Sequence, residues 1–159
     1  MDAIGFASHD HRACIADCVH AAEAHCRKAG LRFTEHRRRV LEILLAEHRA
    51  LGAYHILEIL RNEGQTAQPP VAYRALDFLV QHGFAHKVER LNAFIACAHP
   101  GEAHAPALLI CRKCRTVAET PSEPLFQPLR AAAGDTGFLI EATVVEALGV
   151  CPNCARDTA

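Results

Sequence analysis

Two Cys-x2-Cys pairs, Cys111 with Cys114 and Cys151 with Cys154, constrain this chain more than any other feature. Two residues between cysteines let both sulfurs of one tight turn face a single cation. Two such turns complete the tetrahedral four-sulfur shell that Zn2+ accepts at roughly 2.3 Å. The pairs are separated by 36 residues, 115 to 150. A four-thiolate site is closed to water and substrate, so the reading is structural, with the metal supplying folding energy. The rival readings are a redox-active dithiol and an iron–sulfur site. No thioredoxin-like helix start is read after either pair, which counts against the dithiol.

Composition supports the emphasis on metal. The 159 residues include 8 Cys and 11 His, with no Trp and one Met. Half the chain is apolar, so a folded core is expected. No apolar run approaches a membrane span, and Met1 to His11 is acidic and polar without a signal-peptide core, so a cytoplasmic protein with no membrane partner is expected. In that reducing compartment paired cysteines are more often metal ligands or redox groups than disulfides.

The net charge of -1 argues against a protein that coats nucleic acid by bulk charge. The distribution is uneven. Residues 1–26 carry one base against four acids (-3), residues 27–90 eleven against seven (+4), and residues 91–159 five against seven (-2). A basic middle third in a near-neutral chain fits one sub-domain meeting phosphates; it also fits a merely solvated surface.

Apolar spacing predicts a helix over 10–29, with Ile15, Val19, Ala22 and Cys26 on one face and Gly30 as the stop. A second helix is expected from the N-cap Thr34 to about His48, a third over 54–62, and a fourth over 71–82 behind Pro69-Pro70, ended by Gly83. The period then changes. Residues 84–89 and 93–98 read as strands joined by Arg90-Leu91-Asn92. Helices followed by such a hairpin describe a winged helix-turn-helix. Residues 99–106 read as a hinge. Beyond it, strands are expected at 107–110 and 116–119, a helix at 121–133, and a β-rich run from Phe138 to Leu148. The expected division is therefore a winged-helix domain at 1–98, a hinge at 99–106, and a small α/β domain at 107–159 that carries the four-cysteine site. With only about 50 residues, that last domain has a marginal core of its own and needs a staple or a partner.

His86 in the first wing strand, Cys97 at the end of the second, His104 in the hinge and Glu119 just past the first knuckle are all acceptable zinc ligands, and the thiolate favours Zn2+ over Fe2+ or Mn2+. Singly, each also reads as an ordinary surface or core residue. His11, Cys14, Cys18 and His25 fall on one stripe of the first helix, where a further metal site competes with small buried cysteines beside solvated histidines.

The run Pro-Pro-Val-Ala-Tyr-Arg-Ala-Leu-Asp-Phe-Leu at 69–79, Gly-Phe-Ala-His-Lys-Val-Glu at 83–89, and the two knuckles, the second preceded by Val-Val-Glu-Ala-x-Gly-Val, together resemble the ferric uptake regulator superfamily. Within it the chain most resembles the zinc uptake branch. The matching motifs span about Thr34 to Cys154. The resemblance implies an α/β (α+β) protein: an N-terminal winged helix-turn-helix DNA-binding domain followed by a small C-terminal dimerisation domain. It implies a zinc-responsive repressor of zinc uptake genes that binds palindromic operator DNA as a zinc-loaded homodimer, with one or two dimers per operator left open. It implies two Zn2+ per protomer, a structural ion on Cys111, Cys114, Cys151 and Cys154 and a regulatory ion on His86, Cys97, His104 and Glu119. His99 competes with His104. DNA contacts carried over from the resemblance are Tyr54, Tyr73 and Arg74, with Arg37, Arg38, Arg39 and Lys87 on phosphates; Tyr73 also reads as a core aromatic. The sequence departs from many relatives in having Leu148 where they carry histidine before the second knuckle, and it lacks a His-rich tail. The alternatives are an iron- or peroxide-responsive regulator on the same scaffold and a zinc enzyme. A four-ligand quartet leaves no open catalytic position and no H-E-x-x-H helix is present, so no enzymatic activity and no small-molecule substrate are expected.

Overall fold

The computed structural model describes residues 6, 11–101 and 104–157, without the side chain of His11. The described chain forms two compact units, one of residues 11–101 and one of residues 104–157 together with residue 6.

In the first unit, α1 (His11–Lys28), α2 (Glu35–Ala46), α3 (Ala53–Asn62) and α4 (Pro69–Gln81) precede a hairpin of β1 (Ala85–Val88) and β2 (Ala93–Ala96). The Arg37 N–H donates to Thr34 Oγ1 at 3.3 Å, the N-cap that starts α2. The fourth helix begins two residues earlier than the expected Val71, because Pro69 and Pro70 both occupy its first turn, where a missing N–H costs no intrahelical bond. At its other end Gly83 takes φ +73°, the Phe84 N–H bonds to Leu79 O at 2.8 Å and the Gly83 N–H to Val80 O at 3.2 Å. This left-handed cap turns the chain directly into the wing.

The strands pair antiparallel from Ala85 with Ala96 to Val88 with Ala93. Both strands are shorter than the sequence suggests: β1 ends at Val88, where Glu89–Leu91 form a 3-10 turn and Asn92 sits in the left-handed region at φ 45°, and β2 ends at Ala96. A bridge the sequence did not signal adds Leu51 opposite Phe94, with N–H···O contacts of 2.9 Å in both directions. Val40, Leu41, Leu44, Ile56, Leu57, Leu60, Leu76, Leu79 and Phe84 are all buried in one cluster under these elements. This is a winged helix on a continuous apolar core.

The second unit comprises β3 (Ala107–Cys111), β4 (Val117–Thr120), α5 (Glu123–Asp135), β5 (Val145–Gly149) and the short α6 (Pro152–Arg156). The sheet order is β4-β3-β5, with β4 antiparallel and β5 parallel to β3. The expected β-rich run 138–148 is corrected: only 145–149 is strand. The five residues of β3 set the length of that ladder, and Phe138, Leu139 and Val144 lie outside it, exposed. The helix expected at 121–133 starts and ends two residues later, carried into its first turn by Pro124. Among the described residues no helix is long and apolar enough to cross a membrane.

Candidate metal centres and nucleic-acid face

Parallel pairing of β3 with β5 sets Cys111 beside Gly149, so both strands run into their Cys-x2-Cys turns at the same end of the sheet. The Arg112 N–H donates to Gly149 O at 2.9 Å and ties the two turns together. The first turn closes through Arg115 N–H to Cys111 O at 2.9 Å, with Arg115 itself at φ 62°. All four sulfurs lie within 4.8 Å of one another, and Cys114 Sγ is 3.7 Å from Cys151 Sγ. That spacing is far beyond a disulfide bond. It matches the edge of a tetrahedron built from roughly 2.3 Å metal–sulfur bonds, about 3.8 Å. The donor set fits a zinc ion.

Protonation follows the same geometry. Burial works against ionising Cys111, yet backbone N–H groups of Cys114, Cys151 and Lys113 overcome it and bring the thiol down to about 6. Burial likewise opposes Cys114, whose sulfur is 3.1 Å from the Thr116 hydroxyl, and that hydroxyl and the Thr116 N–H lower it. Cys154 goes the other way: contacts with the Cys151 and Cys114 sulfurs, then burial, push it up to about 12. Four sulfurs gathered this closely need a compensating cation once they ionise.

One sequence expectation is corrected here. A helix does start at the second pair: Cys151 caps α6, which contains Cys154, and its sulfur accepts from the Cys154 N–H at 3.4 Å. The helix is only five residues long, and the sulfurs of its pair are massed with the other pair rather than isolated as a dithiol.

The second predicted ligand set is divided between the two units. In the winged unit, β1 holds His86 across from Ile95, and Cys97, just past β2, is 2% exposed; their ligand atoms lie within 4.8 Å of each other. The Cys97 N–H donates to Phe84 O at 2.9 Å, and its sulfur accepts the His99 N–H at 3.4 Å. His99 thus meets Cys97 through its backbone, with the residue exposed. In the C-terminal unit, Glu119 on β4 is 7% exposed, and its Oε2 lies 3.4 Å from His104 Nε2. A carboxylate that deep needs a charged or hydrogen-bonding partner. Ser122, which the sequence did not single out, donates its hydroxyl to Ala105 O and so pins the residue next to His104. Its signal was only a serine ahead of a helix. Each unit therefore offers a two-donor half: imidazole with thiol, and imidazole with carboxylate.

On the winged unit, Tyr54 is 71% and Tyr73 39% exposed, and Arg74 is exposed beside Tyr73 in the first half of α4. Tyr73 is a surface residue, not a core aromatic. The cations expected on phosphates each have a protein partner. Arg38 pairs with Glu23 at 2.5 Å and Glu42 at 3.1 Å, Arg39 with Glu63 at 2.5 Å and Glu42 at 2.9 Å, and Lys87 with Glu89 at 3.0 Å. The hydrogen bonds that Arg38 and Arg39 donate to these carboxylates raise both arginines above their ordinary range. Arg37 bonds to Arg32 O and lies 3.7 Å over the Phe78 ring. The Arg37 to Arg39 turn fastens α2 to α1, α3 and α4. The α1 stripe is only partly gathered. Cys14 and Cys18 touch, while the His25 ring packs edge-on against Phe84 at 5.5 Å and joins no ligand group among the described residues.

Comparison with known proteins bears on these arrangements. Residues 28–147 match the model of the Ferric uptake regulator family. The chain is 37% identical over 136 residues to the zinc uptake regulation protein of Escherichia coli (strain K12), covering 85% of this chain and 80% of that protein. Among solved structures, it is similar to a zinc uptake regulator complexed with zinc and DNA, at a TM-score of 0.83 and 33% identity over 95% of this chain and 99% of that one. It is also similar to holo XcZur, at 0.80 and 38%, covering 88% and 98%. With the family model spanning most of the chain, the winged helix and the paired knuckles have one explanation: this protein belongs to the ferric uptake regulator family.

Proposed function

We propose that this protein is a zinc-responsive transcriptional repressor of zinc uptake genes, binding palindromic operator DNA as a zinc-loaded homodimer in the cytoplasm. As a member of a family of regulators it is not an enzyme. The observation that carries the zinc reading is Cys97, a buried thiol beside His86, since a soft thiolate in the sensing set selects zinc over iron or manganese. The solved relative complexed with zinc and DNA supports the same reading.

The working division is a winged-helix domain at 1–98, a hinge at 99–106 and a dimerisation domain at 107–159. Two zinc ions per protomer are assigned. Cys111, Cys114, Cys151 and Cys154 would hold one, whose part is structural. His86 and Cys97 from the wing, with His104 and Glu119 from the C-terminal unit, would hold the other. Ligands drawn from both units make ion binding and domain arrangement one equilibrium. By linkage, the factor by which zinc tightens DNA binding is the factor by which DNA tightens zinc binding. Shifting such an equilibrium from 1:99 to 99:1 takes roughly 5.5 kcal/mol, within the range of a four-ligand zinc site.

Tyr54, Tyr73 and Arg74 are proposed to face the operator, with Arg74 placed to fork onto a guanine edge, worth about 1–3 kcal/mol of discrimination. Arg37, Arg38, Arg39 and Lys87 are secondary, since reaching phosphates means leaving the partners they already hold. The exposed Leu125, Leu129, Phe138, Leu139, Val144 and Leu148 supply the apolar face that dimerisation would cover. Whether one or two dimers occupy an operator is a matter for its footprint.

The test is metal content and operator affinity for the wild type and Cys97→Ser. The expected result is one zinc lost per protomer and at least a hundredfold weaker zinc-dependent binding, with the second zinc kept. Unchanged affinity and unchanged zinc would end the sensor assignment.

A further inference from the structure

Cys14 and Cys18 stand one turn apart on α1, where side chains four residues apart share a face. Both are half-buried and neither belongs to the ligand sets above. Their thiols are hydrogen-bonded to one another. Cys18 packs its other side on the core of the winged unit, next to Val19, which holds the pair at the helix surface rather than letting it swing away.

Three chemistries compete for such a pair. A disulfide needs Cβ atoms roughly 3.5–4.5 Å apart, whereas residues at this spacing on an intact helix hold them about 5–6 Å apart. Closing the bond directly would unwind α1 within an 18-residue helix that is otherwise regular. A zinc ion needs four donors, and among the described residues no third Cys, His, Asp or Glu donor completes a group here. A cation satisfied by two thiolates meets neither obstacle, because two metal–sulfur bonds span the wider gap that one sulfur–sulfur bond cannot. Soft thiolate donors select monovalent copper among biological metals of that kind.

We propose that Cys14 and Cys18 form a two-coordinate site for a thiophilic monovalent cation, Cu+, separate from both zinc sites. Burial, then the neighbouring Cys14, pushes the Cys18 thiol up to about 11, so uptake of the ion releases protons. Asp17 adds negative charge beside the pair. Binding would clamp one turn of the helix whose Val19, Ala22 and Cys26 are buried in the winged unit's core.

The experiment uses the full, zinc-loaded chain under anaerobic conditions, with Cu+ supplied as its bicinchoninate complex. The wild type is expected to take one Cu+ per protomer without releasing zinc. Cys14→Ser and the Cys14→Ser/Cys18→Ser double variant are expected to take at least tenfold less, with unchanged zinc content and helical signal showing that they fold. Copper-edge X-ray absorption of the loaded wild type is expected to show two sulfur neighbours. Equal uptake by the double variant, no uptake by the wild type, stoichiometric expulsion of zinc, or a copper shell of three or more sulfurs would each overturn the assignment.

Discussion

In the winged unit, Val40, Ile56, Leu60, Leu76 and Leu79 are wholly buried, and α1 to α4 with the wing close over one continuous core. In the C-terminal unit, Leu108, Ile110, Val117 and Phe126 are buried, while Leu139 is 86%, Phe138 67% and Val144 63% exposed. A fully buried aliphatic or aromatic side chain contributes about 1.5–3 kcal/mol relative to exposure. The first unit collects that contribution within one chain. The second leaves much of it uncollected, and its sheet is three short strands. A unit built that way depends on something added, and its sequence supplies two such things: a four-sulfur cluster at one end of the sheet and exposed apolar side chains for the proposed dimer to cover.

The sharpest way to break the comparison is to remove the metal ligands. Cys151→Ser should cost the C-terminal unit its fold and the protein its dimer, because structural zinc contributes apparent free energies of about 10–16 kcal/mol in small zinc-binding peptides. The helices of the winged unit should survive. Amide exchange resolved by segment, with sedimentation for the dimer, checks both halves of that expectation. Protection retained across β3 and β5 would mean the unit stands on its own core.

The reciprocal perturbation is smaller. Leu44→Ala, in the core of the winged unit, should cost about 2–5 kcal/mol by transfer and cavity terms. Urea unfolding followed on the helical signal reads it, and zinc on the four-sulfur cluster should be unaffected. Zinc loss in step with unfolding of α2 would show that the two units unfold as one. Leu139→Glu comes next. So exposed a residue should leave the protomer folded and zinc-loaded, while a charge on the dimer face weakens association by about tenfold or more, roughly 1.4 kcal/mol. A dimer constant unchanged in sedimentation would move the interface elsewhere.

The same contrast governs what the sequence could convey. Helix starts and stops in the winged unit are readable because caps are local: Thr34 bonds three residues away, and Gly83 sets the turn at its own position. The knuckles are readable because a two-residue spacing fixes a turn, and only the distance between turns needs the fold. The strand at 138–144 is over-extended in the sequence reading because β propensity is local but a ladder needs a partner, and β3 is five residues long. Of the carboxylates that hold Arg38 and Arg39, Glu42 is within one helical turn of both, whereas Glu23 on α1 and Glu63 at the end of α3, 24 positions from Arg39, become partners only once the helices pack. Ser122 carries only the signal of a serine ahead of a helix and Thr116 none; their roles exist only once α5 and the first knuckle are in place.

Arg39 with Glu63 gives the smallest expected effect and the one most specific to the winged unit. Hydrogen bonding from Arg39 is the main influence that lowers the Glu63 carboxyl, with burial opposing it. A carboxylate depressed in the folded state contributes stability above its ordinary pKa and loses it as pH falls through the lower native value. Glu63→Gln should therefore be slightly less stable than the wild type at neutral pH, with the two converging as the solution is acidified below the ordinary carboxylate range. Urea midpoints between pH 7 and pH 3 measure the gap, and metal loss at low pH is common to both chains and cancels in the difference. The exposure of the pair keeps the effect small and sensitive to added salt. A gap that stays constant to pH 3 would mean that Glu63 holds α3 to α2 by packing rather than by charge.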